Sequence, residues 1–97
     1  MKYTNKYLLL TKLEEDRPNR NGVHIGSQLI QGYCLDGITP GQQLYLYSSN
    51  EDVVVMGYTV PKQELLTSWT STVVSLDEDN DLLKTKNSLY KIEIKEQ

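Results

Sequence analysis

The stretch LLKTKNSLYKIEIK, residues 82–95, decides the fold class. If Asn87-Ser88 forms a two-residue turn, Thr85 faces Tyr90 and Leu83 faces Ile92, all pointing inward. Leu82, Lys84 and Lys86 then share the outer side with Leu89, Lys91 and Glu93. Both arms assign the same inside and outside, as a half-buried antiparallel hairpin requires when side chains alternate with period two. Serine is a poor second residue for a type I′ turn, so a longer loop is the alternative.

The same period runs back through the chain. Residues 6–13 alternate, with Tyr7, Leu9, Thr11 and Leu13 on one face and Leu8, Leu10 and Lys12 on the other. Further strands are expected at 27–35, 43–48, 53–60, 70–76, 82–86 and 89–95. Gly32 marks a bulge or barrel bend within the second of these seven strands. The segment 14–22 (EEDRPNRNG) interrupts regular structure with Pro18 and an Asn21-Gly22 turn signal. Residues 36–41 (DGITPG) form a tight connection, and residues 62–69 hold the one short helical turn. Composition agrees: alanine and phenylalanine are absent, while eight Thr, seven Val, seven Tyr and five Ile favour a pleated, half-buried surface. Seven short strands with turn signals every eight to twelve residues predict an all-β domain over 1–97, a small barrel, with a β-sandwich as the alternative.

Ninety-seven residues suffice for one core without disulfides or metals. A net charge of −3 argues against general polyanion binding. One cysteine excludes an internal disulfide framework, and no Cys/His spacing builds a zinc site. No apolar run approaches the length of a spanning helix, and the N-terminus lacks a signal-peptide core. A cytoplasmic protein with no membrane partner is the expectation.

Two local patterns carry a resemblance. Thr67-Ser68, then Val73-Val74, then Thr85-Lys86-Asn87-Ser88-Leu89-Tyr90 form a T-S…V…T-x-N-S-x-Y ending. It resembles small, mostly uncharacterised β-barrel proteins of bacteria and their phages or mobile elements, over about the last third of the chain. The stretch Gly32…Gly37-Ile38-Thr39-Pro40-Gly41-Gln42-Gln43-Leu44 is similar to the second-domain barrel of translational GTPases. Neither resemblance transfers a catalytic residue, and likeness of fold does not imply function.

The chemistry-bearing residues are few. Residues 77–81 (DEDND) alternate acids as a calcium loop does, but Leu82 stands where the sharp turn needs glycine and Ser88 where a bidentate glutamate belongs; the other reading is an acidic hairpin turn. His24 and Cys34 could form a nucleophile pair only if an orienting third group joined them; otherwise Cys34 is a small buried hydrophobe. No triad, phosphate-binding loop or dinucleotide motif is present, so the chain is expected to be non-catalytic, with no metal or cofactor. Tyr45 and Tyr47 form an exposed aromatic stripe if Leu44 and Leu46 point inward, or fill the core or rim in place of the missing phenylalanine. Lys84 and Lys91 lie directly opposite in the hairpin register, with Lys86 and Lys95 nearby. Like charges facing each other are unfavourable, so they call for an anionic partner or guard an edge against strand addition. Trp69 either plugs a barrel end or anchors an interface.

These residues predict a binding or adaptor module that meets another protein, or itself, through strand edges and the Tyr/Trp surface. The alternative is a barrel that binds single-stranded nucleic acid through Tyr45, Tyr47, Lys84, Lys86 and Lys91.

Overall fold

Eight strands succeed one another in the computed structural model, which describes residues 2–15 and 25–95. They are β1 (Lys6–Glu15), β2 (Ile30–Cys34), β3 (Gln43–Tyr47), β4 (Val53–Val55), β5 (Tyr58–Val60), β6 (Leu66–Asp77), β7 (Leu82–Thr85) and β8 (Ser88–Lys95). Six of them close into an antiparallel barrel in the order β1-β2-β3-β6-β7-β8. β1 pairs with β2 (Leu8 opposite Gly32) and also with β8 (Leu10 opposite Ile92), so the sheet has no free edge. That closure selects the barrel over the sandwich. The segment 14–22 is described only at residues 14 and 15, which extend β1; Pro18, Asn21-Gly22 and His24 lie outside the described residues. Among the described residues no helix is long and apolar enough to cross a membrane.

Alternation fills the interior from every barrel strand. Leu8 and Leu10, Ile30 and Cys34, Leu44 and Leu46, Val73, Leu83, Tyr90 and Ile92 pack together. Of the two faces of β1, the one carrying Lys12 turns inward. One barrel end is covered by residues outside the strands: Tyr3 and Ile38 join the core, and the Tyr3 hydroxyl donates to Asp81 Oδ1 at 2.7 Å. The other end is polar. Lys12 is 3% exposed and ion-pairs with Glu15, whose other carboxylate oxygen accepts the Ser88 hydroxyl. Buried Thr70 and Thr85 add to this polar set.

Three expectations change. Residues 53–60 are two strands, because Met56 (φ 50°) and Gly57 (φ 82°) both take the left-handed conformation that a type I′ turn needs. The resulting β4–β5 hairpin forms its own two-stranded sheet outside the barrel. The helical turn at 62–69 shrinks to one 3₁₀ turn, Lys62–Glu64, capped by Leu65, and β6 begins at Leu66. In the last hairpin, Leu83 faces Tyr90 and Lys84 faces Leu89, a shift of two residues that preserves every face. The cause is Thr85: its hydroxyl accepts from the Ser88 N–H and donates to the Ser88 carbonyl, placing the turn at Lys86-Asn87.

Gly32 is where the wall folds most tightly. Its φ is +150°, and a β-carbon there would sit 2.8 Å from the Tyr47 carbonyl oxygen and 3.0 Å from both Leu46 Cβ and the Thr67 hydroxyl. That hydroxyl lies within hydrogen-bond distance of the carbonyls of Gln31 and Leu46, tying β6 across β2 and β3.

Two outcomes follow for stability, both read from denaturant midpoints. Gly32→Ala costs about 3 kcal/mol or more, combining strain with a backbone clash; a loss below about 1 kcal/mol would contradict the close approach. Glu15→Ala removes a carboxylate paired with the buried Lys12 ammonium and costs about 2 kcal/mol, whereas the Lys12→Met, Glu15→Gln pair costs less than half of that. Equal losses would mean that Lys12 is hydrated in the native state.

Candidate binding surface on the outer face of the barrel

Because Leu44 and Leu46 point inward, β3 presents Gln43, Tyr45 and Tyr47 outward. The reading in which these tyrosines fill the core is thereby corrected. Tyr45 is 42% exposed and sits directly opposite Trp69 on β6, which is 56% exposed. Trp69 therefore stands on β6 beside Tyr45 and borders the polar end, too exposed to plug it. Tyr47 is half-buried next to them and faces Leu66.

The strand register extends this surface beyond what the sequence suggested. Tyr47 lies opposite Tyr33, Tyr33 opposite Tyr7, and Tyr7 opposite Lys95, so one row crosses five strands. Tyr7 and Tyr33 meet edge to face with ring centroids 5.1 Å apart. The Tyr7 hydroxyl donates to Gln31 Oε1 at 2.8 Å. Alternation in β1 puts Tyr7 on one face; its meeting with Tyr33 needed the register, which depends on the whole barrel.

Beside Tyr45 and Tyr47 a groove of about 100 Å³ is lined by Asp36, Gly37, Thr39, Gln42 and Gln43. The Tyr45 hydroxyl donates to Gln43 Oε1 at 2.7 Å, and Gln43 Nε2 donates to the Thr70 carbonyl at 3.0 Å. The ring is thus held by a chain of two hydrogen bonds to the wall. Partial burial raises the Tyr47 hydroxyl above the ordinary tyrosine range, and the Asp36 carboxylate adds to the shift.

Lys84, Lys86 and Lys91 do not join this surface. β6 separates β3 from β7, and Lys84 and Lys91 sit on the β7–β8 face. The like-charge confrontation expected from the sequence is absent in the actual register: Lys84 faces Leu89 and Lys91 faces Leu82. The Lys91 ammonium donates to the Asn80 carbonyl at 2.7 Å. Lys86 is exposed at the turn, and its N–H donates to the Thr72 carbonyl.

The remaining candidates resolve locally. Asp77 Oδ1 accepts the N–H groups of Asp79 and Asn80, and Asp77 Oδ2 accepts the Asn80 amide. Those bonds hold the Asp77 carboxyl below the usual range. Asp81 accepts the Tyr3 hydroxyl and pairs with Lys2 at 2.7 Å, which lowers it too. The 77–81 segment is therefore an acidic hairpin turn whose first and last carboxylates serve the fold. The pocket at the polar barrel end, between Glu15, Trp69, Thr70, Ser71, Asn87, Ser88 and Tyr90, holds about 20 Å³, room for roughly one water.

Burial pushes the Cys34 thiol up to about 11, against a Gly37 backbone hydrogen bond that lowers it. A thiol that ionises later when folded leaves stability intact below about pH 9 and removes it as pH rises from there towards 11. Burial also raises Tyr3, and its bond to Asp81 adds to the shift in the same direction. Stability should be level through neutral pH and fall on the alkaline side. Native Cys34 should react with a thiol reagent at pH 8 about 100-fold more slowly than in denaturant. Fast native labelling would show that β2 does not bury it. Comparison of the chain with protein-family models, curated proteins and solved structures finds no match.

Proposed function

We propose that this barrel is a non-catalytic protein-binding module whose β4–β5 hairpin is received by a partner protein. The observation that supports this is the hairpin's apolar tip. Met56 is 92% exposed, with Val54 at 69%, Val55 at 50% and Tyr58 at 77%. Residues 53–60 (VVVMGYTV) carry no charge, and the two strands lack the lysines and prolines that usually guard a free strand edge. Exposed apolar side chains grouped on one projecting element mark an interaction site. Met56 strengthens the reading because it occupies the left-handed turn position, where asparagine is favoured and a long side chain is strained. The turn carries a methionine at some conformational cost, and what it presents there is a flexible, polarizable apolar side chain.

A partner can pair with an open edge of this sheet or enclose its tip in an apolar cleft. The nucleic-acid reading ranks second, because the tyrosines and the lysines of β7–β8 occupy different parts of the wall and the groove beside Tyr45 contains Asp36.

Met56→Asn separates binding from folding. Asn-Gly suits the turn, so stability should stay level or rise by up to about 1 kcal/mol. A photoreactive residue at position 54 should give a discrete cross-linked product in extract of the host cell, and Met56→Asn should reduce its yield about 30-fold. The same probe at Lys86 should give none. No product from position 54, or a yield indifferent to Met56→Asn, would overturn the proposal.

A further inference from the structure

A second surface, independent of the hairpin, has the chemistry of a ligand site. Tyr45 and Trp69 are adjacent on neighbouring strands and expose their rings on the same side of the wall. The groove beside Tyr45 is lined by polar residues, Asp36, Thr39, Gln42 and Gln43. None of its lining residues is a cation. Ligand sites combine apolar or aromatic area with a few placed polar groups in this way.

Charge narrows the ligand. A nucleic-acid strand brings a negative phosphate with each nucleotide, and in this groove it would meet Asp36 on a chain already at −3. Apolar peptide side chains laid over Gln42 and Asp36 would strip water from these polar groups without replacing its hydrogen bonds, which is unfavourable. A pyranose ring avoids both problems. Its C–H face carries slight positive charge suited to the negative face of an aromatic ring, and its hydroxyls both donate and accept. Asp36 can accept two such hydroxyls, and the glutamines can do either. The Gln43 brace on the Tyr45 hydroxyl fixes the platform in advance, so little side-chain freedom is lost on binding.

We propose that the Tyr45–Trp69 platform and its adjoining groove bind one ring of a neutral saccharide, with Asp36, Gln42 and Gln43 as the hydrogen-bonding rim. The site is separate from the hairpin, so the two can act together or alone.

The test uses the whole chain, at physiological salt, against cello-, xylo-, malto- and fully N-acetylated chito-hexaose, with oligo-dT as the charged competitor. Trp69 is the one tryptophan, so its fluorescence reports the platform directly; amide NMR reports variants that lack it. At least one hexasaccharide should give a saturating change. Tyr45→Ala and Trp69→Ala should each weaken it about tenfold or more, with Asp36→Asn also weakening it. Met56→Asn should leave it unchanged. All are surface substitutions, and thermal melts confirm folding. Three results overturn the inference: no hexasaccharide shifts the signal, Tyr45→Ala binds as the wild type does, or oligo-dT binds more tightly than any sugar and Asp36→Asn improves it.

Discussion

The double pairing of β1, to β2 on one side and β8 on the other, is the constraint on which the rest of the structure depends. It joins the first strand to the last and removes the sheet edges that an open six-stranded arrangement would expose. It also decides where function can reside. A six-stranded barrel has little lumen, and Leu8, Leu10, Leu44, Leu46, Leu83 and Ile92 occupy it. Recognition is left to what the wall carries outward and to what is inserted between its strands.

Both ends of the barrel show the cost of closing so small a sheet. One end is covered by Tyr3 and Ile38, contributed from outside the strands. At the other, an inward position of β1 is filled by Lys12, whose charge Glu15 balances and Ser88 supports. A buried ion pair is weak evidence for stability, but removing one partner is costly. Gly32 makes a parallel demand on the wall, where only a residue without a side chain allows β2 to approach β3 and β6. The β4–β5 hairpin carries none of these burdens, because it lies outside the barrel sheet. It is free to keep apolar side chains in water.

Much of the fold was readable from alternation alone. The inner faces of β7 and β8 follow from their period, as does the suspicion attached to Gly32; in β3 leucines line one face and tyrosines the other, so period alone leaves the inward face open. The hairpin at 53–60 was missed because Met-Gly is a weak turn signal; only the backbone angle shows that Met56 adopts what asparagine usually supplies. The 82–95 register was displaced by two because Thr85 uses its hydroxyl to close the turn, a side-chain choice that spacing cannot reveal. At the candidate surface, Tyr45 and Trp69 could each be named, but their adjacency depends on the β3–β6 register and its bulges. The Tyr7–Tyr33–Tyr47 row depends on three strands at once, and the lysines that sequence placed with the tyrosines belong to another part of the wall.

The central claim, a filled barrel whose recognition surfaces all face outward, is tested most directly by an NMR spectrum recorded with a soluble, uncharged paramagnetic agent. The account predicts strong broadening of the Val54, Val55 and Met56 methyl groups and of the Trp69 indole. The methyl groups of Leu8, Leu10, Leu46, Leu83 and Ile92 should remain sharp. Broadened barrel leucines, or Val54 and Met56 signals as protected as those of Leu46, would contradict it.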